Sequence, residues 1–197
     1  TQIDKIMIGS MINEANVGYY SAALTLCSAF SFIPTAIITS AKPSVYAHQK
    51  NNRGLYLKRI KQVFSLVFWL CVGFAFFSTC FSKLIIILIY GKDYSRAIVP
   101  FIVLVWSIPF AQLGLARGIW IVGEGLNKYT KKYLLYGAIL NVILNAILIP
   151  YLGMIGAAIA TLITEIFTCI ISPLFYKETR EFSRLAIKGI LFKFEKE

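Results

Sequence analysis

Long apolar stretches without a single charge alternate along this chain with short polar or basic segments. Uncharged stretches run from Ala15 to Ala41, from Gln62 to Ser82 and from Ala97 to Ala116, and no charge occurs between Tyr133 and Thr164. About 20 residues of helix cross the hydrocarbon core of a bilayer, and backbone survives in lipid only as helices or closed barrels, so the runs predict membrane helices. Pro34 predicts a kink, because neighbours in a membrane bundle can satisfy the carbonyl it frees. Lys83 interrupts the second run, Leu84–Tyr90 continues it, and Gly91–Ser95 reads as a turn. A further kink is expected at Pro109. The stretch from Tyr133 to Thr164 is too long for one ordinary helix, and Pro150 with Gly153 predicts its division.

The expected fold class is therefore an all-α integral membrane protein, a polytopic bundle with one truncated and five complete helices. The expected bounds are 1–12 for the truncated helix, then 17–41, 62–82, 97–122, 132–149 and 154–176, with a charged tail over 177–197. Thr1–Ile12 is too short to span and lacks the order of a signal peptide. It reads as the end of a helix cut off upstream, and the sequence as a fragment. The composition agrees, since 58% of the 197 residues are hydrophobic against about 45–50% in soluble domains.

A net charge of +11 raises the question of nucleic acid, and the placement of the charges excludes it. A nucleic-acid binder gathers Lys and Arg on one folded face with polar or aromatic readers. Here they sit between apolar spans. Numbering the truncated helix first, one side holds six basic residues over Lys42–Lys61, four over Arg117–Lys132 and six in the tail. The other side holds none over Asn13–Asn16, three over Lys83–Arg96 and none over Pro150–Gly153. The positive-inside rule assigns the first side, with the C-terminus, to the cytoplasm.

Cys27, Cys71, Cys80 and Cys169 all lie in apolar runs without a C-x-x-C pair, and His48 is the one histidine, which leaves no expectation of a disulfide framework or metal site. No nucleophile motif, P-loop or dinucleotide fingerprint is present, so no cofactor and no enzyme activity are expected. Candidate chemistry rests on ionisable groups within the spans, each of which costs roughly 2.5–3.5 kcal/mol to insert and so faces a cavity or a partner. Glu165 lies mid-helix, with Thr161, Thr168 and Ser172 on the same face. It is either a pathway or proton-coupling carboxylate or a hydrogen-bonded link between helices. Arg117 either snorkels to head groups or faces a lumen and binds phosphate. Asp4 and Lys5 point about 100° apart, so one faces a cavity and the other a partner.

Weaker polar stripes are Asn141 with Asn145 beyond Gly137, and Ser21, Thr25, Ser28, Thr35 and Thr39. They read as interhelical contacts or substrate contacts. Gly153, Gly156, Ala157 and Ala160 predict close helix packing. Phe182, Leu185, Ala186 and Ile190 at helical spacing suit an interfacial helix in the tail, or a solvated one.

Taken in order, several segments resemble Wzx-type polysaccharide flippases of the MOP exporter superfamily. They are Gln2–Gly9, Val17–Ala23, Leu88–Tyr94, Asn141–Pro150 (NVILNAILIP) and Gly153–Thr161 (GMIGAAIAT). The resemblance implies the end of helix seven through helix twelve, the C-terminal lobe of a twelve-helix transporter in a bacterial inner membrane. It implies translocation of undecaprenyl-diphosphate-linked oligosaccharide for O-antigen or capsule by alternating access, coupled to an ion gradient. Implied partners are that lipid-linked oligosaccharide, membrane lipids, the missing N-terminal lobe, and polysaccharide polymerase and ligase proteins. In that setting Arg117 or Lys5 would hold the diphosphate, Asn141, Asn145 and Gln112 the sugars, and Glu165 would titrate with the driving ion, with Asp4 also in the pathway. Alternatives are a MATE-like drug/cation antiporter, a membrane-embedded enzyme of polysaccharide assembly, and a structural bundle without substrate.

Overall fold

The computed structural model describes residues 2–49 and 51–190; Thr1, Lys50 and the last part of the expected tail, 191–197, lie outside them. The described residues form helices and no strand. The order is α1 (Gln2–Met11), α2 (Glu14–Tyr46), α3 (Arg53–Cys80), α4 (Ser82–Tyr90), α5 (Ile98–Val105), α6 (Ile108–Gly123), α7 (Asn127–Leu152), α8 (Met154–Ile166) and α9 (Arg180–Ile190). Four helices are long and apolar enough to cross a membrane: α2, α3, α7, and α8 with its extension to Phe175. The bent pair of Lys92–Val105 with α6 makes a fifth if it counts as one span.

The apolar pattern located the spans, and the helices overrun it. α2 has 33 residues, about 50 Å at 1.5 Å per residue, well beyond a hydrocarbon core of about 30 Å. The basic segment expected as a loop is largely helical, since α3 begins at Arg53 instead of residue 62. Lys and Arg favour helix, and Asn52 caps it by accepting a bond from the Leu55 N–H at 2.9 Å.

Two expected boundaries are corrected. The kink assigned to Pro109 falls two residues earlier, at Trp106–Ser107, where the axis turns by 41°. The Ser107 hydroxyl donates to the Leu104 carbonyl at 2.6 Å, and Trp106 Nε1 donates to Thr79 Oγ1 at 3.1 Å. Pro109 then sits in the first turn of α6, where a missing N–H costs nothing. Pro150 does not divide the long uncharged stretch: α7 runs through it to Leu152 and stops at Gly153, whose φ of +59° a side chain would disfavour. α2 passes through Pro34 and Pro43 without a break.

α7 and α8 form a tight antiparallel hairpin, α3 packs on α6 and α9, and α2 packs on α3, α5 and α6, while α1 lies against α2 and α7. The core is aromatic and aliphatic, with Tyr20, Tyr56, Phe64, Phe101, Trp120 and Phe182 among its largest buried side chains. The outer surface stays apolar, with Leu88, Leu134, Phe76 and Ile147 exposed, as lipid rather than water requires. α9 turns Phe182, Leu185 and Ala186 inward. Phe182 packs edge-on against Phe64 at 5.4 Å and Ser183 Oγ donates to the Ile170 carbonyl at 3.4 Å.

The hairpin depends on Gly156. A Cβ there would meet the Leu148 carbonyl oxygen, with its carbon at 2.6 Å and Ile149 N at 3.1 Å, and backbone cannot move aside as a side chain can. Gly156→Ala is expected to cost about 1–3 kcal/mol through overpacking, read as a lower Tm in detergent. Gly73→Ala, where a Cβ meets open space, is expected to leave Tm unchanged or raise it.

Candidate functional site

Two polar assemblies lie inside this apolar bundle. The first surrounds Asp4, which is 0% exposed. α1 brings it against α2, α7 and α8. Asn145 Nδ2 donates to Asp4 Oδ1 at 2.8 Å, and Tyr20 and Thr161 donate their hydroxyls to Oδ2 at 3.2 and 3.3 Å. Asn145 Nδ2 also donates to Asn141 Oδ1 at 3.1 Å. Asn145 Oδ1 is buried with no hydrogen-bond partner among the described residues, an oxygen acceptor placed beside a carboxylate. An uncompensated polar atom at such depth costs about 1–3 kcal/mol, so this set of oxygens suits a hard cation or a proton. Among the described residues no group of three His, Cys, Asp or Glu side chains is placed to hold a metal, and oxygens at such a site would come mainly from neutral groups.

The second assembly is a crevice of about 510 Å³ between α6, α7 and α8, with Ile3 of α1 at its edge. Arg117, Asn141 and Glu165 line it together with Thr130, Thr164 and Thr168. Arg117 is 8% exposed. Its guanidinium stacks over Tyr133 at 4.6 Å and Phe182 at 5.5 Å, and Nη1 donates to the Thr168 carbonyl at 2.6 Å.

A local irregularity of backbone supplies that acceptor. Beyond α8 the chain makes a π-helical turn over Phe167–Ile171, in which the Ser172 N–H bonds to the Phe167 carbonyl. In a regular α-helix the same N–H would take Thr168. The Thr168 carbonyl is thus released from the helix and taken by Arg117. Arg117 and Glu165 share the crevice without forming an ion pair within 4.0 Å.

Asn141 belongs to both assemblies, lining the crevice and bonding to Asn145. Of the seven residues singled out from the sequence, Asp4, Asn141 and Asn145 converge in the first assembly, and Arg117, Glu165 and Asn141 in the second. Gln112 lies apart, buried between α6 and α2, where it accepts a bond from Thr35 Oγ1 at 3.2 Å. Lys5 is half-buried and joins neither assembly. The polar stripe of α8 is split, Thr161 facing Asp4 while Thr164, Glu165 and Thr168 face the crevice. Tyr20 and Tyr133 were not foreseen, because an isolated tyrosine in an apolar run carries no spacing signal.

The small hydroxyls of α2 bond mainly within their own helix, with Thr35 also reaching Gln112 of α6. Thr25, Ser28, Ser31, Thr35 and Thr39 each donate to the carbonyl four residues earlier at 2.7–3.0 Å. With Thr25, Ser28 and Thr39 exposed, they give α2 a face of small polar groups, unlike the leucine and isoleucine face of α7.

A family profile described as polysaccharide biosynthesis protein matches residues 1–99 of the chain. The chain is 29% identical over 170 residues to a protein of Haloferax volcanii named probable flippase AglR, a match that covers 82% of this chain and 35% of that protein. The chain therefore spans about a third of the length of that curated relative. No solved structure matches.

The Asp4 assembly makes a direct prediction. Thr161→Val keeps the shape and removes one donor to a buried carboxylate. It is expected to lower stability by about 1–3 kcal/mol. Thr25→Val, whose exposed hydroxyl bonds only within its own helix, is expected to change stability by less than about 0.5 kcal/mol. Thermal denaturation of both variants in the same detergent checks the contrast.

Proposed function

The chain belongs to the polysaccharide biosynthesis protein family, and we propose on that premise that it forms one lobe of a flippase, a multi-pass transporter carrying a lipid-linked oligosaccharide across its membrane by alternating access. The observation that carries this reading is the crevice, a recess of about 510 Å³ in which Arg117, Asn141 and Glu165 stand among apolar walls. A diphosphate-linked sugar cannot enter hydrocarbon unaided, because burying its charge without partners is prohibitive. A guanidinium matches phosphate with two parallel donors. Here it is held in plane by the Thr168 carbonyl and the Tyr133 ring, so little orientation remains to be lost on binding. Asn141 offers an amide to sugar hydroxyls. The hydroxyl face of α2 would line the water-filled path shared with a second lobe, with Gln112 beside it through Thr35.

In the same proposal Asp4, not Glu165, is the group through which an ion gradient drives the cycle. Asp4 joins four helices through named bonds, so loading or releasing a cation there changes how α1 and α2 are held to the α7–α8 hairpin. A ligand can shift a conformational equilibrium only by its differential affinity for the two states, and a carboxylate at a four-helix junction supplies such a difference. The Haloferax relative's name, probable flippase, supports the transport reading. An undecaprenyl carrier, O-antigen or capsule as the product, the bacterial inner membrane, a cytoplasmic C-terminus, an absent N-terminal lobe, and polymerase and ligase partners belong to this proposal as well. One observation favours a drug or cation antiporter, namely Glu165 in the same crevice as Arg117.

The full-length protein in cells that lack their own flippase separates these readings. Asp4→Asn and Arg117→Lys are each expected to lower surface polysaccharide about tenfold or more, the scale of losing one charged hydrogen bond, at unchanged protein level. Glu165→Gln is expected to retain most of it. Normal polysaccharide with Arg117→Lys, together with its loss in Glu165→Gln, would favour a cationic substrate. Normal polysaccharide with Asp4→Asn would remove Asp4 from the coupling step.

A further inference from the structure

Basic residues of α3 and α9 line a groove that shares no lining residue with the crevice around Arg117. Between the first turns of α3 and α9 lies a groove of about 450 Å³. Lys58 and Lys61 line it from α3, Arg184 and Lys188 from α9, with Leu185 and Glu181 among its other lining residues. Lys58 and Arg184 are exposed, Lys61 and Lys188 half-buried.

Both walls are fixed. Gly189 lets α9 approach so closely that an added Cβ would stand 2.9 Å from the Lys61 carbonyl oxygen. Trp69 Nε1 donates to the Ile190 carbonyl at 3.0 Å, and Phe182 packs on Phe64. Glu181, the one acid of the groove, lies 3.7 Å from Arg53, which offsets its charge.

The groove also has a definite depth. The uncharged run of α3 begins at Gln62, directly after Lys61. Trp69 lies eight residues further, about 12 Å along the helix, and is 45% exposed. Tryptophan concentrates where hydrocarbon meets head groups. The uncharged run that starts at Gln62 puts Lys61 at the polar edge of the span, and Ile187 of α9, 51% exposed, is available to acyl chains beside it.

We propose that the groove between α3 and α9 binds the phosphate head group of an anionic membrane lipid. One guanidinium and three ammonium groups converge on a concave site with an apolar side, and basic pockets at the membrane surface recognise phosphate in this way. The proposal does not depend on the transport reading, since none of these residues touches the crevice or the Asp4 assembly.

Native mass spectrometry of the full-length protein tests it, with phosphatidylglycerol, phosphatidylcholine and inorganic phosphate as probes. Wild-type protein is expected to retain a phosphatidylglycerol molecule under conditions that strip phosphatidylcholine. The triple variant Lys58→Gln, Lys61→Gln, Arg184→Gln is expected to weaken that retention about a hundredfold, while Lys128→Gln with Lys131→Gln leaves it intact. Glu181→Gln, which removes a negative charge and should fold normally, is expected to strengthen it. Equal retention of the two lipids by wild type, unchanged retention in the triple variant, or no gain in Glu181→Gln overturns the proposal. Displacement of phosphatidylglycerol by millimolar inorganic phosphate also overturns it, by assigning the groove to a soluble anion.

Discussion

Hydrocarbon offers no hydrogen-bond partner, so a polar group placed within the spans is either met from inside the protein or costs about 1–3 kcal/mol. That constraint organises the polar interior. Asp4 receives three donors from three other helices. Thr25, Ser28 and Thr39 of α2 return their protons to carbonyls of their own helix, which satisfies them without a partner from another helix. The same constraint explains Arg117. Its guanidinium cannot lie in apolar surroundings without an acceptor, and the π-helical turn releases the Thr168 carbonyl to provide one. Pro173 follows at once, and having no N–H it leaves the Cys169 carbonyl without its usual helical donor. The irregular end of α8 is thus a stretch where backbone acceptors are set free, and the most buried cation of the described chain lies against it.

How much of this was legible in the residues follows from what each signal measures. Charge-free runs report where hydrocarbon lies, and every run did become helix. They do not report where a helix stops, because Lys, Arg and Asn extend or cap a helix beyond lipid at little cost. Hence α3 begins nine residues before its apolar run and α2 ends five residues after its own. Proline was overvalued at Pro150 and Pro109 for a related reason. A freed carbonyl can be tolerated in a packed bundle, so the decisive stops were Gly153, through its positive φ, and Ser107, through its side-chain bond to Leu104.

The site residues divide in the same way. Glu165 was conspicuous because a lone acid mid-helix stands out in any sequence, and it does line the crevice. Asp4 was harder to weigh, since it sits only three residues from the first residue of the sequence and its depth depends on Asn145 and Thr161, 141 and 157 positions away. The i,i+4 pairing of Asn141 with Asn145 was readable from spacing alone. That it completes the shell of a carboxylate is tertiary information. Tyr20 and the Thr168 carbonyl carry no periodic signal, and a backbone acceptor created by a π-helical turn has no residue type to announce it.

Position along α8 ties the parts together. Thr161 bonds Asp4, Thr164 and Glu165 line the crevice a turn later, and Thr168 holds Arg117 a further turn on. Arg117 in turn packs on Phe182 of α9, whose other side meets Phe64 and Trp120. A change at the Asp4 junction therefore has a continuous packed route through α8 to the guanidinium, and from there to the helix that forms one wall of the basic groove. Packed interiors transmit displacement because they are close to crystalline density, and a π-helical turn, whose hydrogen bonds span one residue more than those of an α-helix, is the place on α8 where register can shift by a single hydrogen bond. If the Ser172 N–H moved from the Phe167 carbonyl back to Thr168, Arg117 would lose its acceptor and its guanidinium would be free to take another. In the proposed transport cycle a diphosphate in the crevice would be such an acceptor, and this one-bond change in the backbone of α8 would link its binding to the register of the helix.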